Sequence, residues 1–203
     1  HQRARPASES PFTQRSDVLT DKEKHAIATH EAGHTLMMKY HFDTTPVFIS
    51  VDNYKDSSAF FPRDESLINT YTRKDLEREI SVIMGGMVAE SETTEGKTKT
   101  VGASNDLMVA TSKAKKMVVE YGFGDTMSNT SLVELQDYVL TSGKEIIEDI
   151  QKILSHVQED TENILITNRE VLEKLTETIK EKVILNSDEI EEFYRANPIQ
   201  RAS

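Results

Sequence analysis

The chain has 203 residues, 36% of them hydrophobic and 29% charged, which is enough apolar material for one compact domain with or without an extension. Its formal net charge of -11 repels nucleic-acid phosphates and anionic lipid, so no nucleic-acid partner is expected. With no cysteine there are no disulfides, a reducing intracellular compartment is favoured, and any bound zinc must be held by His, Asp or Glu.

Residues 1–19 are polar, carry Pro6 and Pro11, and read as a flexible lead-in or linker. They contain no apolar stretch of the secretory kind, and no run anywhere reaches the length of a membrane span. The chain starts at His1 rather than Met and so reads as a fragment or a processed product, with membrane association left to a segment outside it. Thr20-Asp21-Lys22-Glu23 forms a capping box and starts a helix to about Tyr40, with Ala26, Ile27, Met37 and Tyr40 on its buried face. VFISV at 47–51 is a β-branched apolar run and a strand, the candidate exposed edge of a small sheet; SAFF at 58–61 is a weaker second strand. Thr72 caps a helix through about Glu90, with Leu76, Ile80, Ile83 and Met84 on one face. Gly85 and Gly86 inside it cost roughly 1 kcal/mol each against Ala, which close approach of another backbone would justify. A loop at 91–104 precedes a helix capped by Ser104 and ended by Gly122. From about Thr141 onward the pattern is helical, with stripes Ile146, Ile150, Ile153, Leu154, Val157 and Val171, Leu172, Leu175, Ile179, and with Asn168 and Ser187 as caps. The fold class is therefore mainly α with a small β-sheet and a C-terminal helical bundle.

The first helix carries His30-Glu31-Ala32-Gly33-His34. Residues i and i+4 share a helix face, so both imidazoles can converge on one ion, while Glu31 is turned aside by about 100°. A carboxylate there can take a proton from a water that the metal activates, which is the HExxH logic of metallopeptidases. Gly33 removes bulk one residue before a ligand. His25 and His41 lie off the spacing and read as surface histidines; His156 reads as structural. A catalytic zinc needs a third protein ligand. The metzincin pattern would require Gly and His where Met37 and Tyr40 stand, which excludes that class. Glu90, ending a helix, and Asp106, beginning one, are both candidates, and chemistry alone does not separate them.

HEAGH, SVIMGGMVAES at 81–91, TVGASNDLMVATSKAKKMVVEYGFGD at 100–125 and the final helices from LITNREVLEKL onward resemble the peptidase domain of FtsH-type ATP-dependent zinc proteases, over roughly residues 20 to 194. The resemblance implies an HExxH-helix zinc peptidase domain at 20–203, with 20–125 as the catalytic part and 126–203 as C-terminal helices. It implies Zn2+ held by His30, His34 and Asp106, with Glu31 as general base. It also implies polypeptide substrates and a homo-oligomer, a six-fold ring. That family carries an ATPase module ahead of the peptidase; no GxxxxGK[ST] phosphate loop occurs in these 203 residues, and 1–19 stands where the linker from that module would be. The stretch SVDNYKDSSAFFPRDES departs from the family's glycine-containing strand, having no glycine and carrying Asp52, Lys55 and Asp56.

Three functions follow. The first is a zinc endopeptidase acting on unfolded or loosely folded protein, which would lie along the VFISV edge. The second is a non-catalytic helical scaffold that binds partners through the C-terminal stripes, against which Glu31 argues because a structural zinc does not need it. A hydrolase of a non-peptide substrate, using the same water activation, is the third.

Overall fold

A computed structural model describes residues 19–51, 70–93, 103–126, 128–134 and 143–201. The elements in chain order are α1 (Asp21–Phe42), β1 (Phe48–Ser50), α2 (Arg73–Thr93), α3 (Ser104–Val119), α4 (Gly143–Thr167), α5 (Arg169–Lys182), β2 (Ile184–Asn186) and α6 (Ser187–Ala196). The fold is mainly α with one two-stranded sheet among the described residues. No helix among them is long and apolar enough to cross a membrane.

Helix α1 begins where its capping box requires. The Thr20 backbone N–H donates to Glu23 Oε2 at 2.8 Å, and the Glu23 N–H donates to Thr20 Oγ1 at 3.3 Å. It ends at Asp43, which takes the left-handed conformation that a short polar side chain tolerates. Helix α2 has an equivalent start, with Thr72 and Asp75 exchanging bonds at 2.9 and 3.3 Å. Ser104 does not cap α3: it is the first helical residue, and Ala103 holds the cap position with no side-chain bond. Gly122, at φ +67°, follows the end of α3. Asn168 stands at the start of α5, but its amide is used elsewhere, donating to the Ile164 and Gln200 carbonyls. The cap of α6 is Asn186, one residue before Ser187, in a full capping box with Glu189.

Helix α1 lies at the centre, packed on α2 and α5, while α2 also meets α3 and α4. The core runs through Ala28, Ala32, Leu36, Met37 and Met38 of α1 and Leu76, Ile80, Met84 and Val88 of α2. Ala26, Ile27 and Tyr40 are only half-buried, because the apolar face of α1 is centred on the Ala28–Ala32–Leu36 line instead. Ile146, Ile153 and Val157 of α4 and Leu172, Leu175 and Ile179 of α5 are buried in the chain's own core. Ile150, Leu154 and Val171 of the same stripes are half-buried and pack against that core, so the stripes serve the chain's own packing.

Strand β1 pairs antiparallel with β2 in the register Phe48↔Asn186, Ile49↔Leu185, Ser50↔Ile184. The partner of VFISV thus comes from a stretch that the helical pattern had absorbed. SAFF, the loop at 94–102, Asp52, Lys55, Asp56 and residues 1–18 of the lead-in lie outside the described residues. The switch from α5 to β2 occurs at Val183, whose φ of +65° is strained for a β-branched residue. Its carbonyl accepts from the Val51 N–H at 2.9 Å, so sheet pairing holds it there.

Candidate metal centre

Helices α1 and α2 pass each other at Gly33 and Gly85. A Cβ on Gly85 would lie 2.8 Å from the Gly33 carbonyl oxygen and 2.9 Å from Met37 Cγ, so the contact is backbone to backbone. This is the close approach that the glycines imply. It aims His30 and His34 of α1 across the face of α2.

The two imidazoles are fixed from behind. The Nδ1–H of His34 donates to the Val82 carbonyl at 2.8 Å, and Nδ1 of His30 stands 2.6 Å from Glu90 Oε1. A carbonyl and a carboxylate only accept, so each Nδ1 carries the proton and each Nε2 presents a lone pair. Those two Nε2 atoms are 2.9 Å apart. Asp106 Oδ2, from the first turn of α3, lies 3.0 Å from His30 Nε2 and 3.4 Å from His34 Nε2. It is a buried oxygen with no hydrogen-bond donor. With both rings neutral the facing atoms are all acceptors; a proton on His30 Nε2 turns its short contact with Asp106 into a charge-assisted hydrogen bond.

The protonation chemistry says the same. Burial works to lower the His30 pKa, but its bonds to Asp106 and Glu90 and the charges of Glu31 and Asp106 outweigh it and push it up to about 10. Burial works to raise the Asp106 carboxyl, and the bonds from His30 and His34 instead hold it well below the usual carboxylate range. The cluster therefore demands positive charge at its centre. His30, His34 and Asp106 offer three ligand atoms within 4.8 Å of one another, two imidazole nitrogens and one carboxylate oxygen. That donor set fits a divalent zinc with one corner left open.

The structure thus brings His30, His34 and Asp106 together and separates the two acidic candidates. Glu90 meets His30 on Nδ1, the side away from the cluster, so it orients an imidazole instead of joining the ligand atoms. Glu31 is buried and lines a cleft with His34, Thr35, Met38, Pro46, Phe48 and Ile49. The cleft runs between α1 and β1, so the Glu31 carboxylate and His34 of the cluster share one opening beside a strand. His41 is not a surface residue. Its Nε2 is 3.0 Å from Ser81 Oγ, and burial, aided by the charges of Arg78 and Lys74, pushes its pKa down to about 4. His25 is exposed as expected, and His156 proves exposed too, 3.6 Å from Asp160. The Val82 carbonyl was beyond sequence reasoning, since a backbone atom leaves no residue signature; Gly86, beside it, was visible but read only as packing.

The chain is similar to known proteins over most of its length. Residues 17–193 match Peptidase family M41. The Parabacteroides distasonis protein named ATP-dependent zinc metalloprotease FtsH is 30% identical over 191 residues, covering 89% of this chain and 27% of that protein. A Chloroflexus aggregans protein of the same name is 28% identical over 197 residues, covering 89% and 30%. The Saccharomyces cerevisiae mitochondrial inner membrane i-AAA protease supercomplex subunit YME1 is 28% identical over 196 residues, covering 91% and 25%. The chain therefore spans between a quarter and a third of the length of these relatives. With the helix-borne HEAGH segment, the acid from α3 and a family match across nearly the whole chain, the protein belongs to Peptidase family M41 and is an FtsH-type peptidase domain.

Proposed function

We propose that this chain is a zinc-dependent endopeptidase domain, with residues 20–125 as its catalytic part and 126–203 as its supporting helices. The observation that carries the reading is the convergence of two imidazole Nε2 atoms and the Asp106 carboxylate beside a buried Glu31. His30, His34 and Asp106 would hold the metal. When bound, zinc supplies Lewis acidity that brings a water's pKa toward 7 and polarises a carbonyl. Glu31 takes the proton of the attacking water and returns it to the leaving amine. The substrate backbone lies along β1, whose hydrogen bonds to β2 pass through Val47 and Val51, so that the N–H and C=O of Phe48 point away from β2. Pairing of that kind reads backbone, not sequence, and suits unfolded or loosely folded polypeptides.

In the parent protein, residues 1–19 would link this domain to an ATPase module, and six copies would form a ring. The first statement extends the ATP-dependent naming of the relatives to this chain, and the second extends the family resemblance. The reading is tested with casein and the zinc-loaded chain. Glu31→Gln is expected to keep zinc and lose about 10²- to 10⁴-fold in kcat. Undiminished cleavage by that variant would remove Glu31 from the mechanism; no cleavage by a folded, zinc-loaded wild type would remove the peptidase.

A further inference from the structure

Resting on that metallopeptidase reading, we infer that helix α2 is the positioning element of the metal centre: one face of it, Val82, Gly86 and Glu90, sets which nitrogen of each imidazole faces the metal and keeps open the space in which the metal is bound. The three residues are spaced four apart and follow one line along the helix. The two ends of the line hold the two Nδ1 atoms, Val82 O at 2.8 Å from His34 and Glu90 Oε1 at 2.6 Å from His30. The middle has no side chain. A Cβ on Gly86 would stand 2.6 Å from His34 Nε2, 2.7 Å from His30 Cε1 and 2.8 Å from His30 Cδ2. The smallest possible side chain would thus collide with a ligand nitrogen.

Glycine at 86 does a second thing. A helical carbonyl has two lone pairs, and the ladder bond from residue 86 uses one of those on Val82. The second is reachable from the side only if nothing covers it. Helical side chains lean back over the turn before their own Cα, so a side chain at 86 would lean over that carbonyl. Gly85, its neighbour, serves a different purpose: an added Cβ there meets the α1 backbone at Gly33 and the Met37 side chain, not the imidazoles. The pair is therefore divided, Gly85 for helix packing and Gly86 for the site. The two histidines are not equivalent either. His30 leans on a buried carboxylate, which makes its imidazole a stronger donor than His34, which leans on a neutral carbonyl.

The test uses the full 203-residue chain. Zinc affinity is measured by chelator competition, folding by circular dichroism and Tm, and imidazole N–H exchange by 15N spectra of the zinc-loaded form. Gly86→Ala is expected to fold with a Tm near wild type and to bind zinc at least about 100-fold more weakly. Gly85→Ala, which pushes α2 off the α1 backbone, is expected to lower Tm together with zinc affinity, whereas Gly86→Ala lowers zinc affinity without that loss of Tm. Glu90→Ala is expected to weaken zinc by about 10- to 100-fold and to lose the protected Nδ1–H of His30 while that of His34 persists. Glu90→Gln, which keeps an accepting oxygen, is expected to restore that signal. Wild-type zinc affinity in Gly86→Ala, or an unchanged His30 signal in Glu90→Ala, overturns the inference; should Gly86→Ala not fold, the Glu90 pair decides alone. Asp106→Ala run alongside separates the two levels: zinc retained there refutes the metal site itself, whereas zinc lost there but kept in the α2 variants refutes only the role of α2.

Discussion

Acid is expected to loosen the scaffold of the metal centre through His41, a histidine one helical turn and more beyond the HEAGH segment. Its Nε2 meets Ser81 Oγ, Ser81 meets Thr161 Oγ1 at 2.7 Å, and Thr161 donates to the Val157 carbonyl at 2.7 Å. That chain of polar groups ties α1, α2 and α4 together inside the core. Protonating His41 places a charge among buried groups, near the cationic Lys74 and Arg78. The folded pKa of about 4 lies below the unfolded value of 6.5. Between those values the unfolded chain binds more protons, so stability rises with pH there. The contribution of His41 is fully present above about pH 6.5 and is lost as pH falls toward 4. A shift from 6.5 to about 4, at about 1.36 kcal/mol per unit, sets a ceiling near ~3.4 kcal/mol. Partial access to water reduces this to about 2 kcal/mol, still a sizeable share of the roughly 5–15 kcal/mol that holds a domain together.

The assay is urea unfolding of the metal-free chain at pH 7.5, 5.5 and 4.5, for wild type and His41→Gln. Glutamine can bond Ser81 but does not titrate, and every carboxylate and other histidine cancels in the difference. Wild type is expected to lose about 2 kcal/mol more than the variant across that window. Equal losses in the two proteins would refute the claim that His41 is held neutral by burial.

Two further outcomes test the site. Because His30 in the metal-free chain keeps a proton up to about 10, zinc must displace it, and apparent zinc affinity is expected to rise about tenfold per pH unit through the neutral range, read by chelator competition. Phe48→Pro removes the N–H that faces away from β2 without touching a ladder bond, and is expected to raise KM for casein well above that of Phe48→Ala, with Tm changed little between the two; equal KM values would refute backbone pairing along β1.

The helices were legible because their signals are local. Thr20 with Glu23 and Thr72 with Asp75 announce helix starts through bonds spanning three residues, and the structure contains both. HEAGH was legible because its geometry is a property of one helix. Of the small sheet, VFISV was legible as a strand but its partner was not, for a physical reason. Strand β2 has three residues, follows α5 without Gly or Pro, and begins after a valine forced to positive φ by its bond to Val51. The information that ends α5 at Lys182 therefore resides in a contact more than a hundred residues away. His41 failed similarly: nothing in KYHFD tells that Ser81 and Thr161 wait opposite.

The division between Glu90 and Asp106 shows where local reading stops at the site. Both are acids near a helix end, and both touch His30. What separates them is which nitrogen each meets, and this depends on how far α2 slides along α1. The slide is set by Gly33 against Gly85, since any side chain at either would hold the helices apart. Two glycines weaken α2 by about 2 kcal/mol in intrinsic propensity. In exchange, α2 comes close enough for a backbone carbonyl and a carboxylate to reach both Nδ1 atoms, and both Nε2 atoms are turned toward Asp106. An α2 built for helical stability alone would carry alanine at 85 and 86, and it would leave the imidazoles free to turn and their shared centre filled.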